Sequence, residues 1–256
     1  MSRRRVFPSL LCIVMALSLA NNKAGATGSR ERYRLTTSAA EAAELLEEAT
    51  PAQVARLEQL NRADAGHLRR LPALVVPVSW TEDDLADSVL PGRYAAAATS
   101  PTFVVVHVPG QLFAAYEFGT LVRWGPVSSG RRDSATSPGL FHLNWRSAGR
   151  HSTVDPTWFM RWYFNFGSRE GLAFHAYPLP GYPASHGCIR LLDRDAQWLY
   201  EWGEPWLVDS RMRLLASGTP VLLVGQYDFD APPPWRSIEW LSREVTLPPL
   251  TSLSDS

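Results

Sequence analysis

Ser185-His186-Gly187-Cys188-Ile189-Arg190-Leu191 is the stretch that decides how this chain is read. The 256 residues contain two cysteines, Cys12 and Cys188. Cys12 falls in an apolar leader, so Cys188 is the thiol expected in the mature protein. In an extended segment residues two apart project from the same face, which directs His186 and Cys188 into one pocket. Gly187 between them carries no side chain, so the backbone there can approach a substrate and offer N–H groups to a developing oxyanion. A second histidine, His175 in Ala173-Phe174-His175-Ala176-Tyr177, precedes the thiol across Pro178-Leu179-Pro180-Gly181-Tyr182-Pro183. Such a Pro/Gly-rich loop lets two strand ends converge.

A single cysteine is ordinarily a small buried hydrophobe. Here the surrounding His, Gly, Ser and Arg make a poor apolar core, and a Cys with a partner His is the arrangement for thiol activation. Zinc held by His175, His186 and Cys188 is the competing reading. Structural zinc takes four ligands and no fourth is evident, so neither a metal nor another cofactor is expected. Either histidine can reach the thiol, and the residues alone do not choose the base. Ser185 is positioned to orient a histidine by hydrogen bonding. Arg190 has two readings: its planar fork suits a substrate carboxylate, or it forms an ion pair with an acid such as Asp193.

With a histidine upstream at the end of an apolar segment, the heptapeptide resembles the signature of the L,D-transpeptidase catalytic domain, the YkuD domain. Ser137-Pro138-Gly139-Leu140-Phe141 is similar to that family's Thr-Pro-x-Gly-x-Phe strand entry. Phe103-Val104-Val105-Val106 through Gln111-Leu112 resembles its first hairpin, and Gly218-Thr219-Pro220-Val221 its closing strand; the likeness spans residues 101–226. It implies a mostly β catalytic domain, sandwich- or barrel-like, with a short helix after the motif. It also implies Cys188 as the nucleophile, His175 as the base and His186 in the pocket wall; the chemistry of the residues themselves adds the backbone N–H groups around Gly187 and Cys188 as oxyanion donors and Ser185 and Arg190 as positioning residues. The implied substrates are peptidoglycan stem peptides, donor and acceptor. A tetrapeptide stem would form a thioester and release D-alanine, and an amine of a second stem would complete a 3-3 crosslink. The family also holds L,D-carboxypeptidases and enzymes that attach proteins to peptidoglycan, and a non-catalytic secreted peptidoglycan-binding protein is the alternative of another class. Ala176 stands where the family more often has Gly, and the loop to Cys188 is short for it.

Composition fits a globular chain with one sizeable core and a small accessory module: 45% hydrophobic and 20% charged residues. Its 25 basic and 25 acidic residues give no reason to expect a nucleic-acid partner. Met1-Ser2-Arg3-Arg4-Arg5, an apolar run from Val6 to Ala20, and Ser18-Leu19-Ala20 or Ala24-Gly25-Ala26 as a cleavage site read as a signal peptide over residues 1–26. Export to the periplasm or cell envelope is expected. The run is too short for a comfortable membrane span, and Leu10-Leu11 before Cys12 does not fit lipid attachment. Residues 1–20 hold Arg3, Arg4, Arg5 and no acid, so their removal leaves 22 basic against 25 acidic residues, a net charge of −3.

Residues 30–90 read as a small α-rich or α+β module. Ser38-Ala-Ala-Glu41 and Thr50-Pro51-Ala-Gln53 are helix starts, and Val54, Leu57 and Leu60 mark one helical face. The stretch Tyr33 to Pro77, through Leu60-Asn61-Arg62 and Leu68 to Pro77, resembles a LysM glycan-binding module, which would add glycan strands as a partner; a plain helical packing domain is the other reading. Thr81 begins a short helix, and residues 91–101 read as a linker. Short strands follow at Thr102–Val108, Leu112–Tyr116, Leu121–Val127, Leu140–Trp145, Phe159–Phe166 and Leu172–Tyr177. Asp193 is expected to cap a helix from Arg194 to Trp202, with Ala196, Leu199 and Trp202 inward. Leu214 to Val224 closes the domain at residue 226, and residues 227–256 form a Pro/Ser-rich tail with no assigned chemistry.

Overall fold

The computed structural model describes residues 32–250. The expected signal segment and the last six residues lie outside them. The described chain begins with β1 (Tyr33–Leu35), α1 (Ala39–Glu48), α2 (Pro51–Asn61), α3 (Ala65–Leu68) and β2 (Val75–Pro77). The helix starts follow from local chemistry. Ser38 Oγ accepts from the Glu41 N–H at 3.1 Å. Thr50 and Gln53 form a reciprocal capping box, with Pro51 as the first helical residue. The Glu41 carboxylate reaches one residue further back than a capping box requires, to the Thr37 N–H at 2.6 Å. β1 and β2 pair antiparallel beside these helices, and Asn61 stitches α2 to β2 through Val75 at 2.8 and 2.9 Å.

Residues 81–90 form turns rather than the expected short helix. Thr81 Oγ1 and the Asp83 carboxylate accept from the N–H groups of Asp83 and Leu85, and such side chain to backbone bonds compete with helix formation. The stretch read as a linker, residues 91–101, is packed: Tyr94 and Ala97 are buried, and the Tyr94 ring meets Phe103 edge-on.

The main sheet contains β3 (Phe103–His107), β4 (Leu112–Glu117), β5 (Thr120–Ser128), β6 (Gly139–His142), β7 (Arg146–His151), β8 (Phe159–Gly167), β9 (Leu172–Ala176) and β10 (Ile189–Leu191). After β10 come α4 (Asp193–Trp202), the short pair β11 (Leu207–Val208) and β12 (Leu214–Ala216), then β13 (Pro220–Val224), which returns to the sheet. The nine strands run in the order β6-β13-β3-β4-β5-β10-β9-β8-β7, with β13–β3 and β10–β9 parallel and the remaining pairs antiparallel. The sheet curls until the chain after β6 meets β8, where Asn144 donates to the Asn165 carbonyl at 2.7 Å. The fold is mostly β, with a helix directly after the motif, as the sequence implies.

Side-chain alternation assigns each face its own core. Val104, Val106, Phe113, Phe164, Phe174, Ile189 and Leu191 face inward with Ala196 and Leu199 of α4. Phe103, Val105, Leu112, Ala114 and Tyr116 face the other way, onto Tyr33, Leu60 and Val75 from the amino-terminal segment and Trp235 and Leu241 from the carboxy-terminal one. Strands covered on both faces read as unbroken apolar runs, which explains Phe103-Val104-Val105-Val106. Trp235 is 1% exposed and α5 (Ile238–Leu241) follows it, so this part of the expected tail is structure. Arg62 joins the three regions. Its Nε donates to the Gly110 carbonyl at 3.0 Å, and its guanidinium lies 5.7 Å from the Trp235 ring and 6.0 Å from that of Trp240. No helix among the described residues is long and apolar enough to cross a membrane.

Candidate active site

β9 ends at Ala176 and β10 begins at Ile189, and the two run side by side with Arg190 opposite His175. The Pro/Gly-rich loop therefore does bring the two strand ends together. The segment carrying His186 and Cys188 is not extended, however, as the two-residue repeat assumed. Residues 186–188 form a bend, and Gly187 sits at φ +111°, where a side chain is strained. The bend is held from several directions. Ser185 Oγ accepts from the Gly187 N–H at 3.0 Å and donates to the Cys188 carbonyl at 2.5 Å. Thr136 Oγ1 donates to the Gly187 carbonyl at 2.7 Å, and Ser185 exchanges backbone bonds with Ser129 and Arg131.

This geometry changes two expected roles. Ser185 positions the motif's backbone, not a histidine. The Gly187 N–H is already engaged by Ser185 Oγ. Asp193 is the first residue of α4 while Leu192 is its N-cap, and the Asp193 carboxylate pairs with Arg161 at 2.8 Å. Arg190 therefore has no ion pair with Asp193. Its guanidinium lies 4.6 Å from the centre of the Tyr177 ring, with a long contact to the Pro178 carbonyl.

Cys188, His175, His186, Ser185 and Arg190 all line one cavity of about 260 Å³; Gly187 is behind its wall. Cys188 is half-buried and free, packed beside Met160, Tyr163 and Ala173, and its thiol donates to the Gly171 carbonyl at 3.4 Å. Burial pushes this thiol up, against the opposing pull of an N–H bond from Ala173 and the charges of Arg190 and Arg150. His175 is buried, and burial together with the Arg190 charge pushes its imidazole down to about 4, against the Ala176 contact. Both groups are thus uncharged at neutral pH. His175 Nδ1 lies 3.2 Å from the Ala176 carbonyl. A carbonyl only accepts, so Nδ1 carries the proton and Nε2 keeps its lone pair. His186 differs. Its ring packs against Trp158 with centroids 4.9 Å apart, and its buried Nδ1 has no protein partner.

Other parts of the cavity were absent from the sequence reading. Between the pairs Arg161↔Ala176 and Phe164↔Phe174, two β8 residues oppose the single residue His175. This bulge, with Trp162 at φ +54°, is associated with Tyr163 on the cavity wall. Arg150, Trp158 and Glu170 also line the cavity. The alternating runs around residues 159–166 were legible as a strand, but an added residue inside it was not. Among the described residues no group of three or more His, Cys, Asp or Glu gathers to hold a metal ion.

Residues 101–223 match the family model described as the L,D-transpeptidase catalytic domain, YkuD. No curated protein matches the chain. Among solved structures, an L,D-transpeptidase from Stackebrandtia nassauensis is 24% identical, covers 50% of this chain and 58% of its own, and superposes with a TM-score of 0.41. One from Xylanimonas cellulosilytica is 32% identical over 49% of this chain and 61% of its own, TM-score 0.39. L,D-transpeptidase 1 of Mycobacterium tuberculosis is 20% identical over 49% and 62%, TM-score 0.38. The chain spans less than two thirds of the length of these structures.

Proposed function

We propose, from the premise that residues 101–223 are an L,D-transpeptidase catalytic domain of the YkuD family, that this protein crosslinks peptidoglycan stems through a Cys188 thioester. The observation that carries the reading is the shared cavity of Cys188 and His175, with the His175 Nδ1 proton anchored on the Ala176 carbonyl. A nucleophile, a base and a group that orients the base are what acyl transfer needs. The orienting atom belongs to the backbone, so Ala176 serves in place of Gly.

In the first half-reaction His175 Nε2 accepts the thiol proton as Cys188 Sγ bonds to the carbonyl carbon at the L-centre of diaminopimelate. The resulting oxyanion is assigned to the Cys188 N–H, since Gly187 has spent its own on Ser185. The tetrahedral adduct breaks its C–N bond, His175 returns the proton to the leaving nitrogen, and D-alanine departs. In the second half a stem amine attacks the thioester, His175 takes a proton from that amine, and the thiol is restored. His186, with an unpartnered ring nitrogen beside Trp158, orients substrate. Arg190, which lacks an acidic partner, holds a substrate carboxylate. Export through residues 1–26 and glycan tethering through residues 33–77 belong to the same proposal and rest on the sequence alone.

Intact mass after incubation with a carbapenem tests the nucleophile. A single adduct is expected, abolished in Cys188→Ala; no adduct on the unaltered protein, or one that persists in the variant, overturns the claim. Purified tetrapeptide stems test the reaction. Dimers are expected, whereas tripeptide monomers alone would make the protein a carboxypeptidase.

A further inference from the structure

The cavity holds a second cation that neither the motif nor the acyl-transfer scheme uses. Arg150 lies on β7 opposite Met160, outside the heptapeptide. Its guanidinium carbon is 5.1 Å from the centre of the Trp145 ring and 4.9 Å from that of Tyr163, rings that are themselves 5.0 Å apart. Its polar contact is a long one, Nε to the His151 carbonyl at 3.4 Å. No carboxylate among the described residues forms an ion pair with it. Glu170, the acid of the cavity lining, is exposed and is paired to neither Arg150 nor Arg190.

A guanidinium set against two aromatic rings is already ordered, so little side-chain freedom remains to be lost on binding. A half-buried cation without a counter-ion is poorly solvated and gains most from an anion that enters with the ligand. β7 and β10 are separated by β9 and β8. The backbones carrying Arg150 and Arg190 therefore stand roughly three strand spacings of ~4.8 Å apart, and the two cations enter the cavity from different strands. The charges of both arginines reach Cys188.

We propose that Arg150 is a specificity-determining residue that binds a free carboxylate of the donor stem peptide beside Cys188. The inference rests on the peptidoglycan reading above and extends it. Two carboxylates supply this chemistry: the one at the D-centre of diaminopimelate and the terminal one of D-alanine. The guanidinium fork takes either in a bidentate pair. Trp145 and Tyr163 act through Arg150 as positioning residues.

Two measurements test this. Cys188 is alkylated with anionic iodoacetate and with neutral iodoacetamide, in the unaltered protein, in Arg150→Met and in Arg150→Lys. The rate ratio of anionic to neutral reagent should fall about 5-fold or more in Arg150→Met and recover in Arg150→Lys; an unchanged ratio overturns the proposal whatever the natural substrate. D-Alanine release is then followed with tetrapeptides amidated at one carboxylate or the other. Amidating the recognised carboxylate should lower kcat/KM roughly 10- to 100-fold, mainly through KM, in the unaltered protein, as for loss of a charged hydrogen bond. It should change Arg150→Met little, and the position that behaves so identifies the carboxylate. The amidation series on the unaltered protein stands even if Arg150→Met fails to fold, and indifference to both amidations overturns the proposal. Release of no D-alanine from any peptide, with the alkylation ratio still dependent on Arg150, would instead bring down the peptidoglycan reading and the identity of the bound peptide with it.

Discussion

Cys188, an uncharged thiol, lines one cavity with His175, an uncharged imidazole, and with His175 as the proposed base this sets the acid limit of acylation. His175 ordinarily titrates near 6.5, but burial pushes it down to about 4. Its folded value lies below its unfolded one, so the neutral base persists as pH falls through 6.5 and is lost through about 4. Carbapenem acylation followed from pH 8 to pH 3.5 should therefore keep its rate past pH 6 and drop near pH 4; a drop centred on 6.5 would assign the base elsewhere. Ser185→Ala removes both an acceptor for the Gly187 N–H and a donor to the Cys188 carbonyl. Leaving buried backbone groups unpaired costs about 1–3 kcal/mol. A lowered melting temperature and slower acylation are expected together, without loss of the adduct. That Cys188, His175 and His186 share one cavity was legible, because a thiol and two imidazoles set among Ser, Gly and Arg make a poor apolar core. Gly187 was legible as a special backbone position, but not as a group already engaged, since its partner is fixed by a bend that no two-residue repeat describes. Arg150 was invisible because the pocket it joins is assembled across four strands.

Elements were legible where the chemistry is local. Ser38 and Thr50 announce α1 and α2 because the capped N–H lies three residues away. Thr50→Ala should cost about 1 kcal/mol, read as a lower denaturation midpoint with an unchanged m-value. β7 was missed for a physical reason. Arg146-Ser147-Ala148-Gly149-Arg150-His151 has no apolar alternation, because this edge strand buries none of its residues fully and is held by pairing with β8. α4 starts one residue earlier than expected, with Asp193 inside it and paired to Arg161 of β8, a contact absent from the local sequence. The turn at residues 81–90 shows the reverse case, in which Thr81 and Asp83 satisfy the backbone themselves.

At the scale of the molecule, the segment that matches the family is smaller than the unit that folds. One face of the β3–β5 sheet is covered by Tyr33, Leu60, Val75, Trp235 and Leu241. Asp64 of the amino-terminal segment accepts from the Leu179 N–H at 2.8 Å and donates its own N–H back to the Leu179 carbonyl, within the loop that separates His175 from Cys188. Arg194 on α4 pairs with Glu58 on α2. A chain trimmed to residues 102–226 would expose Phe103, Val105, Leu112 and Tyr116. It should lose its cooperative thermal transition by circular dichroism, while residues 32–250 keep theirs. Sequence marked these flanks as module, linker and tail because their composition differs from the strands. That they share a core depends on contacts between residues far apart in the chain, which no local pattern records.

The Arg62 junction carries a temporal consequence. Arg62 leaves the ribosome long before Trp235 and Trp240, so its guanidinium must wait in water until both indoles have been synthesised. Cys188 emerges within that interval, before the clasp around Arg62 can close. A polypeptide clipped before Trp235 would leave that guanidinium without its two indole neighbours, so the last stretch of chain to be made completes a clasp that the first helices begin.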